Sequence, residues 1–324
     1  MHPLGYVQAR EIDTAIHAAI QEATSAFIAG GTGIVDLMQD SAQLPRRLVD
    51  INPLPINTIT VKTDSVRIGA MVRNSEVIAN AMIRDRYPAL FDALSYSATP
   101  QIRNMATVGG NLLQRTRCSY FRDVTFSCNE RNPGSGCPAL EGYNRSHAIL
   151  GTSESCIAAH ASDMAVALTA LDAVIHTRGL HGERQIPITE FYLEPGETPE
   201  RETVLEHGEI IVAVELPNSP LAAQSHYFKS PTDNFSLAAV AAALAVHDGV
   251  IQAARIAFGG VATKPWRSIS AETVLINAPL NEATFNNAAI AALETAVPRT
   301  FNGFKVELLK RMLIYALLTV GGIA

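Results

Sequence analysis

The first part of the chain alternates short stretches with helical and with strand spacing. Apolar residues recur three and four positions apart between Ile12 and Ile20, which predicts a helix. A short apolar strand at 25–29 leads into the glycine-rich turn 30–33, and another strand is predicted at 47–51. This order is typical of a β-α-β unit, so we assign residues 1–57 to a first subdomain, called subdomain 1 below.

A second region of mixed pattern runs from residue 58 to residue 217. A helix is predicted to begin at Pro88, because proline is favoured in the first turn, and a strongly apolar helix is predicted at 164–171. Strands are predicted at 66–72, 173–177 and 210–216. We assign these residues to subdomain 2 and treat 115–157, which lacks a regular pattern, as an insert within it.

The last hundred residues have a different pattern after the proline-bounded linker 217–220. A short strand is predicted at 226–229, and two longer strands at 237–246 and 251–258 flank a tight turn in which Gly249 supplies positive φ. Two helices follow, at 282–296 and 304–317. The pattern predicts a C-terminal domain, 222–324, of antiparallel sheet plus helices, and an α+β fold for the whole chain.

Composition excludes several classes of protein. The 324 residues are 48% hydrophobic and 17% charged, which is ordinary for a globular chain, and the net charge of −6 gives no support for binding nucleic acid. The apolar run 312–324 is too short to span a bilayer, so we expect no membrane span. The first residues lack a basic segment followed by an apolar one, so we expect no export signal in this chain.

Two glycine-rich turns are candidates for holding phosphate. In the turn 30–33 the missing Cβ atoms allow backbone N–H groups to approach an anion. The second turn, Thr107 to Asn111, has two glycines for which positive φ is expected, and Thr107 offers a hydroxyl. Two such turns in separate subdomains fit an extended dinucleotide between them. The alternatives are a plain strand turn in the first case and a β-bulge without ligand in the second.

All four cysteines of the chain lie in one polar window. They are Cys118, Cys128, Cys137 and Cys156, and no C-x-x-C pair of the zinc-ribbon kind is present. The residues leave three possibilities open: a [4Fe–4S] cluster, one Zn²⁺, or disulfides and unligated thiols. Three arginines in the window are candidates for offsetting the negative charge of a cluster, namely Arg117, Arg122 and Arg131.

Three further residues have two readings each. Asp163 is either a plain helix cap together with Ser162 or a carboxylate that accepts hydrogen bonds from a ribose. His160 is interpreted as a structural loop residue in preference to a metal ligand. Lys229, just after Tyr227 and Phe228, is either a solvated strand end or a cation beside an anionic ring system.

Several longer motifs resemble those of a known protein family, and this resemblance extends from about residue 25 to residue 310. The chain resembles the FAD-binding medium subunits of the molybdenum hydroxylases, the xanthine dehydrogenase and carbon monoxide dehydrogenase family. The cysteine-bearing insert narrows this to the FAD and iron–sulfur subunits of bacterial periplasmic aldehyde oxidoreductases. The motifs are FIAGGTG, SATPQIRNMATVGGNLLQRTRC, SYFRD, NPGSGCPALEGYNR, LGTSESCIAAHASDMAVALTALDA and HYFK.

The resemblance implies a PCMH-type FAD-binding fold followed by a domain like the CO dehydrogenase flavoprotein C-terminal domain. It implies that subdomains 1 and 2 sandwich FAD and that the four cysteines hold a [4Fe–4S] cluster. Asp163 would contact the adenosine side, while Tyr227 and Lys229 would lie beside the isoalloxazine ring. The implied cofactor-binding residues are Ala29, Gly30, Gly31, Thr32, Gly33, Ile102, Thr107, Gly109, Gly110, Asn111, Leu150, Asp163, Tyr227 and Lys229.

Two positions depart from the family pattern. Gly33 stands where the family often has Asp or Asn, which leaves a backbone phosphate site intact but removes a side-chain contact. The segment 300–305 replaces one that often begins His-Asp-Asn, so no role is transferred to it.

The function implied is electron transfer within a heterotrimer. A [2Fe–2S] small subunit and a large subunit with the molybdenum cofactor would be partners, and electrons from aldehyde oxidation would pass through FAD to an external acceptor. A hydroxybenzoyl-CoA reductase-like complex, a stand-alone flavoenzyme and a non-flavin zinc protein are the alternatives. The chain would be exported with a signal-bearing partner into the periplasm, or stay in the cytoplasm.

Overall fold

The structure is a computed structural model that describes residues 4–230 and 235–323. Its first part is a three-stranded parallel sheet with strand order β1-β3-β2, and the N-terminal strand β1 was not predicted from the pattern. Helix α1 packs Ala15, Ile16 and Ala19 against this sheet. The elements are β1 (Gly5–Gln8), α1 (Ile12–Ile20), β2 (Ser25–Ile28), α2 (Ile34–Gln39) and β3 (Arg47–Asp50).

The second part is a five-stranded antiparallel sheet of order β4-β5-β8-β6-β7 with helices on one side. Its core is built from the inward residues of the sheet and from the apolar faces of the longer helices. The elements are β4 (Ile59–Val61), β5 (Ser65–Gly69), α3 (Asn74–Ala79), α4 (Ala81–Arg86), α5 (Pro88–Tyr96), α6 (Pro100–Met105), α7 (Val108–Leu112), α8 (Ser119–Arg122), α9 (Asp163–Ala170), β6 (Val174–Gly179), β7 (Gly182–Pro187), α10 (Ile188–Phe191) and β8 (Ile210–Pro217).

The C-terminal part is a four-stranded antiparallel sheet of order β12-β11-β10-β9 covered by three helices. The predicted hairpin is confirmed: β10 pairs with β11 around Asp248 and Gly249, whose φ angles are 51° and 73°. A 3₁₀ turn, Ala222–Gln224, precedes this part. Its elements are β9 (Ser225–Lys229), β10 (Ala239–His247), β11 (Val250–Gly259), β12 (Trp266–Arg267), α11 (Ile269–Leu275), α12 (Glu282–Ala291) and α13 (Phe304–Val320).

Two helices of the second part pack directly on the C-terminal sheet. Alanines at the contact, including Ala93 of α5, Ala167 of α9 and Ala241 of β10, leave little side-chain volume between the layers. Small residues permit this close approach, which holds the start of α9 against β9. The fold is therefore α+β, as the pattern predicted.

The insert between α7 and α9 is almost entirely irregular. Apart from the single turn of α8, its backbone is organised by side chains: Arg131 donates to the carbonyls of Tyr120, Phe121 and Phe126. No helix in the described ranges is both long enough and apolar enough to cross a membrane.

Candidate functional site

The first glycine turn supplies unoccupied backbone donors. In the part of the chain that the structure describes, the amides of residues 30–33 donate to no protein acceptor. Gly31 has a φ of 75°, and a methyl group at Gly30 would lie 1.9 Å from the carbonyl oxygen of Met105. A side chain is therefore excluded at Gly30 by the close approach of α6, and the free amides form a nest suited to an anion.

The second glycine turn differs from the expectation. Residues 108–112 form the short helix α7, and neither Gly109 nor Gly110 has positive φ, so that part of the prediction was wrong. The amide of Gly109 donates to Ala70 at 2.8 Å, that of Gly110 to the Thr107 hydroxyl at 3.2 Å, and that of Asn111 to the Thr107 carbonyl at 2.8 Å. Because these donors are already paired, this turn shapes a wall and offers no free amide nest.

A cleft of about 990 Å³ joins the two turns. Residues 29–33 line one side, and Thr107, Gly109 and Gly110 line the other. Its remaining walls are formed by the ends of β5 and β8 and by the segment after α7. These segments lie far apart in the chain, so the sequence pattern did not predict that they meet. These further lining residues include Ala70, Met71, Gln114, Arg115 and Ile210.

A buried carboxylate connects this region to the C-terminal sheet. Ser162 caps α9 and donates to the Asn111 side chain at 2.6 Å, and the next residue is Asp163. The Asp163 carboxylate accepts from Tyr227 at 2.6 Å, from Lys229 at 3.2 Å and from Ser236 at 3.1 Å. The predicted residues Asp163, Tyr227 and Lys229 are thus one hydrogen-bonded group.

Asp163 and Tyr227 are in direct hydrogen-bond contact, although the resemblance implies a contact with the adenosine side for Asp163 and with the isoalloxazine ring for Tyr227. Burial, followed by the charge of Asp163, raises the pKa of Tyr227 well above its usual range, so its phenol stays protonated and donates. Ser236 was missed because a lone serine before a strand gives no sequence signal.

A second cleft, of about 1460 Å³, lies between the insert and the C-terminal part. Asp163, Phe235 and Gly260 line one side, and Arg117, Cys118 and His147 line the other. Leu113 to Arg115 line the first cleft and Thr116 to Cys118 line the second, so one stretch of chain runs along both. The two clefts together give room for an elongated ligand.

The arginines of the insert are engaged elsewhere. Arg117 and Arg122 donate to Asp36 of α2 at 3.0 and 2.6 Å, and Arg117 also stacks over the Phe235 ring at 4.5 Å. The contacts of Arg117 and Arg122 fix the insert against both halves of the protein, whereas those of Arg131 with backbone carbonyls hold the insert together internally. The contacts of these three arginines therefore favour a structural role over the expected role of offsetting the charge of a cluster.

The four cysteines line one small cavity of about 280 Å³. All four are free thiols, and burial raises the pKa of Cys118 to about 12 and also raises the pKa of Cys137 and of Cys156. His147 Nε2 lies 3.1 Å from Cys118 Sγ, and Glu130 Oε2 lies 3.7 Å from Cys156 Sγ. His147 is neutral near pH 7, because burial and then the charge of Lys305 lower its pKa to about 4.

The donor set of this cavity consists of four thiols. Within the described residues, no group of three or more His, Cys, Asp or Glu side chains is placed to hold one metal ion. A four-iron cluster instead takes one thiolate on each iron, so its ligands surround a volume. Backbone amides already point at the sulfurs, such as Tyr120 and Phe121 at Cys118 and Ala158 at Cys156, which is how proteins stabilise cluster sulfur.

Three other predicted positions have distinct surroundings. Ile102 is 42% exposed on α6. Leu150 is fully buried in the C-terminal core, and its backbone pairs with Val261 and Thr263, so its surroundings favour a structural role over a cofactor contact. His160 is half-buried and packs edge-on against the Tyr192 ring, and the burial of its imidazole lowers its pKa to about 3.

Family models account for nearly the whole chain. Residues 2–219 match the FAD binding domain in molybdopterin dehydrogenase, and residues 224–320 match the CO dehydrogenase flavoprotein C-terminal domain. The chain belongs to the FAD-binding medium subunits of the molybdenum hydroxylases. In this medium subunit both glycine turns and Asp163 fall in the first matched region, and Tyr227 and Lys229 fall in the second.

Similar proteins include named subunits of oxidoreductases. This medium subunit is 46% identical over 294 residues to the aldehyde oxidoreductase FAD-binding subunit PaoB of Escherichia coli strain K12, covering 89% of this chain and 88% of that protein. It is 27% identical to the xanthine dehydrogenase FAD-binding subunit of Escherichia coli O157:H7, with 91% and 87% covered. The carbon monoxide dehydrogenase of Hydrogenophaga pseudoflava shares the fold, with a TM-score of 0.77 at 22% identity over 99% of this chain and 98% of that one.

Proposed function

We propose that this medium subunit carries FAD and a [4Fe–4S] cluster side by side and passes electrons between a molybdenum subunit and an external acceptor. The observation that carries the proposal is that Cys118 and His147 line both the cysteine cavity and the larger cleft. A cofactor in one space would therefore be separated from a cofactor in the other by a single layer of side chains. Short separations of this kind are what electron transfer between cofactors requires.

The residues present fit FAD. The free amides of 30–33 would bind the pyrophosphate, while the wall made by Thr107 to Asn111 would fix its position across the cleft. The group formed by Asp163, Tyr227 and Lys229 would hold a polar part of the cofactor, with Lys229 supplying a positive charge that is 11% exposed. FAD, when bound, supplies redox chemistry that connects two-electron and one-electron partners. The mainly apolar lining of the first cleft would exclude water from it.

The residues also fit the cluster. Cys118, Cys128, Cys137 and Cys156 would be its ligands, each on a different iron. All four thiols are free and line the same cavity, which supports this assignment. With Cys118 as a thiolate ligand, His147 Nε2 would carry the ring proton and donate to the sulfur, because a thiolate can only accept a hydrogen bond.

We further propose that the complex oxidises aldehydes and that the substrate binds to a partner subunit. Identity of 46% to the FAD-binding subunit of an aldehyde oxidoreductase supports the substrate class. A [2Fe–2S] small subunit and a large subunit with the molybdenum cofactor would complete the complex. Among the described residues that line the first cleft, the carboxylate is that of Glu209, and it is paired with Arg184 at 2.7 Å. This described lining therefore offers no His or carboxylate that is free to act as an acid or base on a substrate.

The proposal is tested on the purified native complex. We expect oxidation of aromatic aldehydes with an artificial electron acceptor, and reduction of the flavin by aldehyde in the absence of acceptor. Acyl-CoA substrates and xanthine serve as competing substrates in the same assay. Turnover of either one without any aldehyde oxidation would replace the aldehyde assignment, and flavin that aldehyde cannot reduce would contradict the electron-transfer role.

A further inference from the structure

Lys305 is a fully buried cation at the start of α13. Its ammonium group donates to three backbone carbonyls, those of Ser146 at 2.9 Å, His147 at 2.9 Å and Gly260 at 2.7 Å. These contacts use all three of its protons. Among the described residues no carboxylate lies within ion-pair distance of it, although a buried charge is normally paired.

The surroundings of Lys305 are short of negative charge. Arg145, which stacks over the Phe304 ring at 4.4 Å, adds a second cation, and the first turn of a helix also disfavours positive charge. Burial and then the charge of Arg145 lower the pKa of Lys305 to about 7, so without a nearby anion its ammonium group is only partly charged near neutral pH. An anionic group close to Lys305 would keep it fully charged.

The anion-deficient region adjoins the cysteine cavity. The carbonyl of His147 binds Lys305, and the ring of the same residue lies 3.1 Å from Cys118 Sγ. Asn302, three residues before Lys305, donates to the carbonyls of His147 at 3.4 Å and Ala148 at 3.1 Å. The segment 300–305, which departs from the family pattern, therefore holds in place the backbone that carries His147 beside the cysteine cavity.

We propose that Lys305 is a positioning residue for the cluster: it fixes the backbone that carries His147 and supplies the positive charge that balances the four thiolates. This inference rests on the proposed function, because it requires the cluster to be present. A four-thiolate cluster gains negative charge on reduction, so a nearby cation stabilises the reduced form more than the oxidised form. Lys305 therefore raises the reduction potential of the cluster.

The test compares Lys305→Gln with Asn302→Ala in the intact complex. Lys305→Gln removes the charge and retains a hydrogen-bond donor, whereas Asn302→Ala removes hydrogen bonds to the same segment and retains the charge. The readout is a redox titration of the cluster followed by electron paramagnetic resonance. We expect Lys305→Gln to lower the equilibrium constant for reduction about tenfold, which is about 59 mV for a one-electron couple, and Asn302→Ala to leave it unchanged.

Each outcome tests either the presence of the cluster or the role of Lys305. Wild-type complex with flavin but without iron would overturn both the proposed cluster and this inference. Wild-type complex with a cluster whose potential is unaltered by Lys305→Gln would overturn this inference alone. If Lys305→Gln fails to retain the cluster, Lys305→Arg decides: retention in Lys305→Arg and in Asn302→Ala supports a requirement for charge, and loss in either one reduces Lys305 to a structural role.

Discussion

The phenol of Tyr227 donates a 2.6 Å hydrogen bond to the carboxylate of Asp163, and both side chains are buried. The bond joins β9 of the C-terminal sheet to the first turn of α9, at the edge of the larger cleft. Two regions matched by different family models therefore meet at one polar group. We therefore expect the stability of the domain contact and the binding of FAD to depend on the same bond.

Replacing Tyr227 with Phe is expected to weaken both properties. A hydrogen bond to a charged group contributes about 1.5–3 kcal/mol, so the free energy of unfolding should fall by about that amount. FAD should also dissociate more readily, as measured by flavin fluorescence during dialysis. Tyr315→Phe is the matched control because Tyr315 is 59% exposed. Equal FAD retention in the two variants would show that the Asp163 group does not contribute to cofactor binding.

Gly30 and Gly33 give a matched pair for the phosphate nest. A methyl group at Gly30 would collide with the carbonyl of Met105, whereas a methyl group at Gly33 meets nothing within 4 Å. Gly30→Ala should separate the first turn from α6 and lower the affinity for FAD by at least about tenfold, as expected for displaced donors. Gly33→Ala should bind FAD nearly as the wild type does. Isothermal titration with flavin-free protein checks this, and unchanged affinity in Gly30→Ala would place the pyrophosphate elsewhere.

Cys128 tests the role of the cluster in electron flow. Cys128 is 8% exposed and lines the cysteine cavity, so Cys128→Ser should lose most of the iron and acid-labile sulfide while FAD remains bound. Ser127→Ala is the neighbouring control. If the cluster lies on the path, the rate of aldehyde-dependent acceptor reduction should fall at least about tenfold. Full turnover in a cluster-free variant would show that the cluster serves only to hold the insert together.

The contact between His226 and Asp92 predicts a pH dependence of stability. The hydrogen bond to Asp92, 3.0 Å long, raises the pKa of His226 above its usual value. The stabilisation is therefore fully present below the unfolded-state pKa of about 6.5 and is lost as the pH rises through the higher folded-state pKa. Because the histidine side chain is 49% exposed, the effect should stay within about 1 kcal/mol.

Chemical denaturation of the wild type and of His226→Gln measures this effect. The difference in free energy of unfolding between them should be larger at about pH 5.5 than at about pH 8.5. A difference that stays constant over this range would mean that the contact with Asp92 does not raise the pKa of His226 in the folded protein.

Local patterns predicted the elements whose cause is local. The helix at 12–20 follows from its apolar spacing, and the hairpin around Gly249 follows from a turn that requires positive φ. The second glycine turn was misjudged because its conformation is set by Ala70, which accepts the amide of Gly109 from a distant strand. Lys305 gave no signal at all, since its three acceptors lie on two segments far away in the chain.

The most direct test of the central claim is the cofactor content of the anaerobically purified complex. Flavin, iron and acid-labile sulfide are measured per copy of this medium subunit, after separation from its partners under conditions that retain cofactors. We expect one FAD together with a full complement of iron and sulfide for one [4Fe–4S] cluster on this chain. One FAD with neither iron nor sulfide on the chain would contradict it.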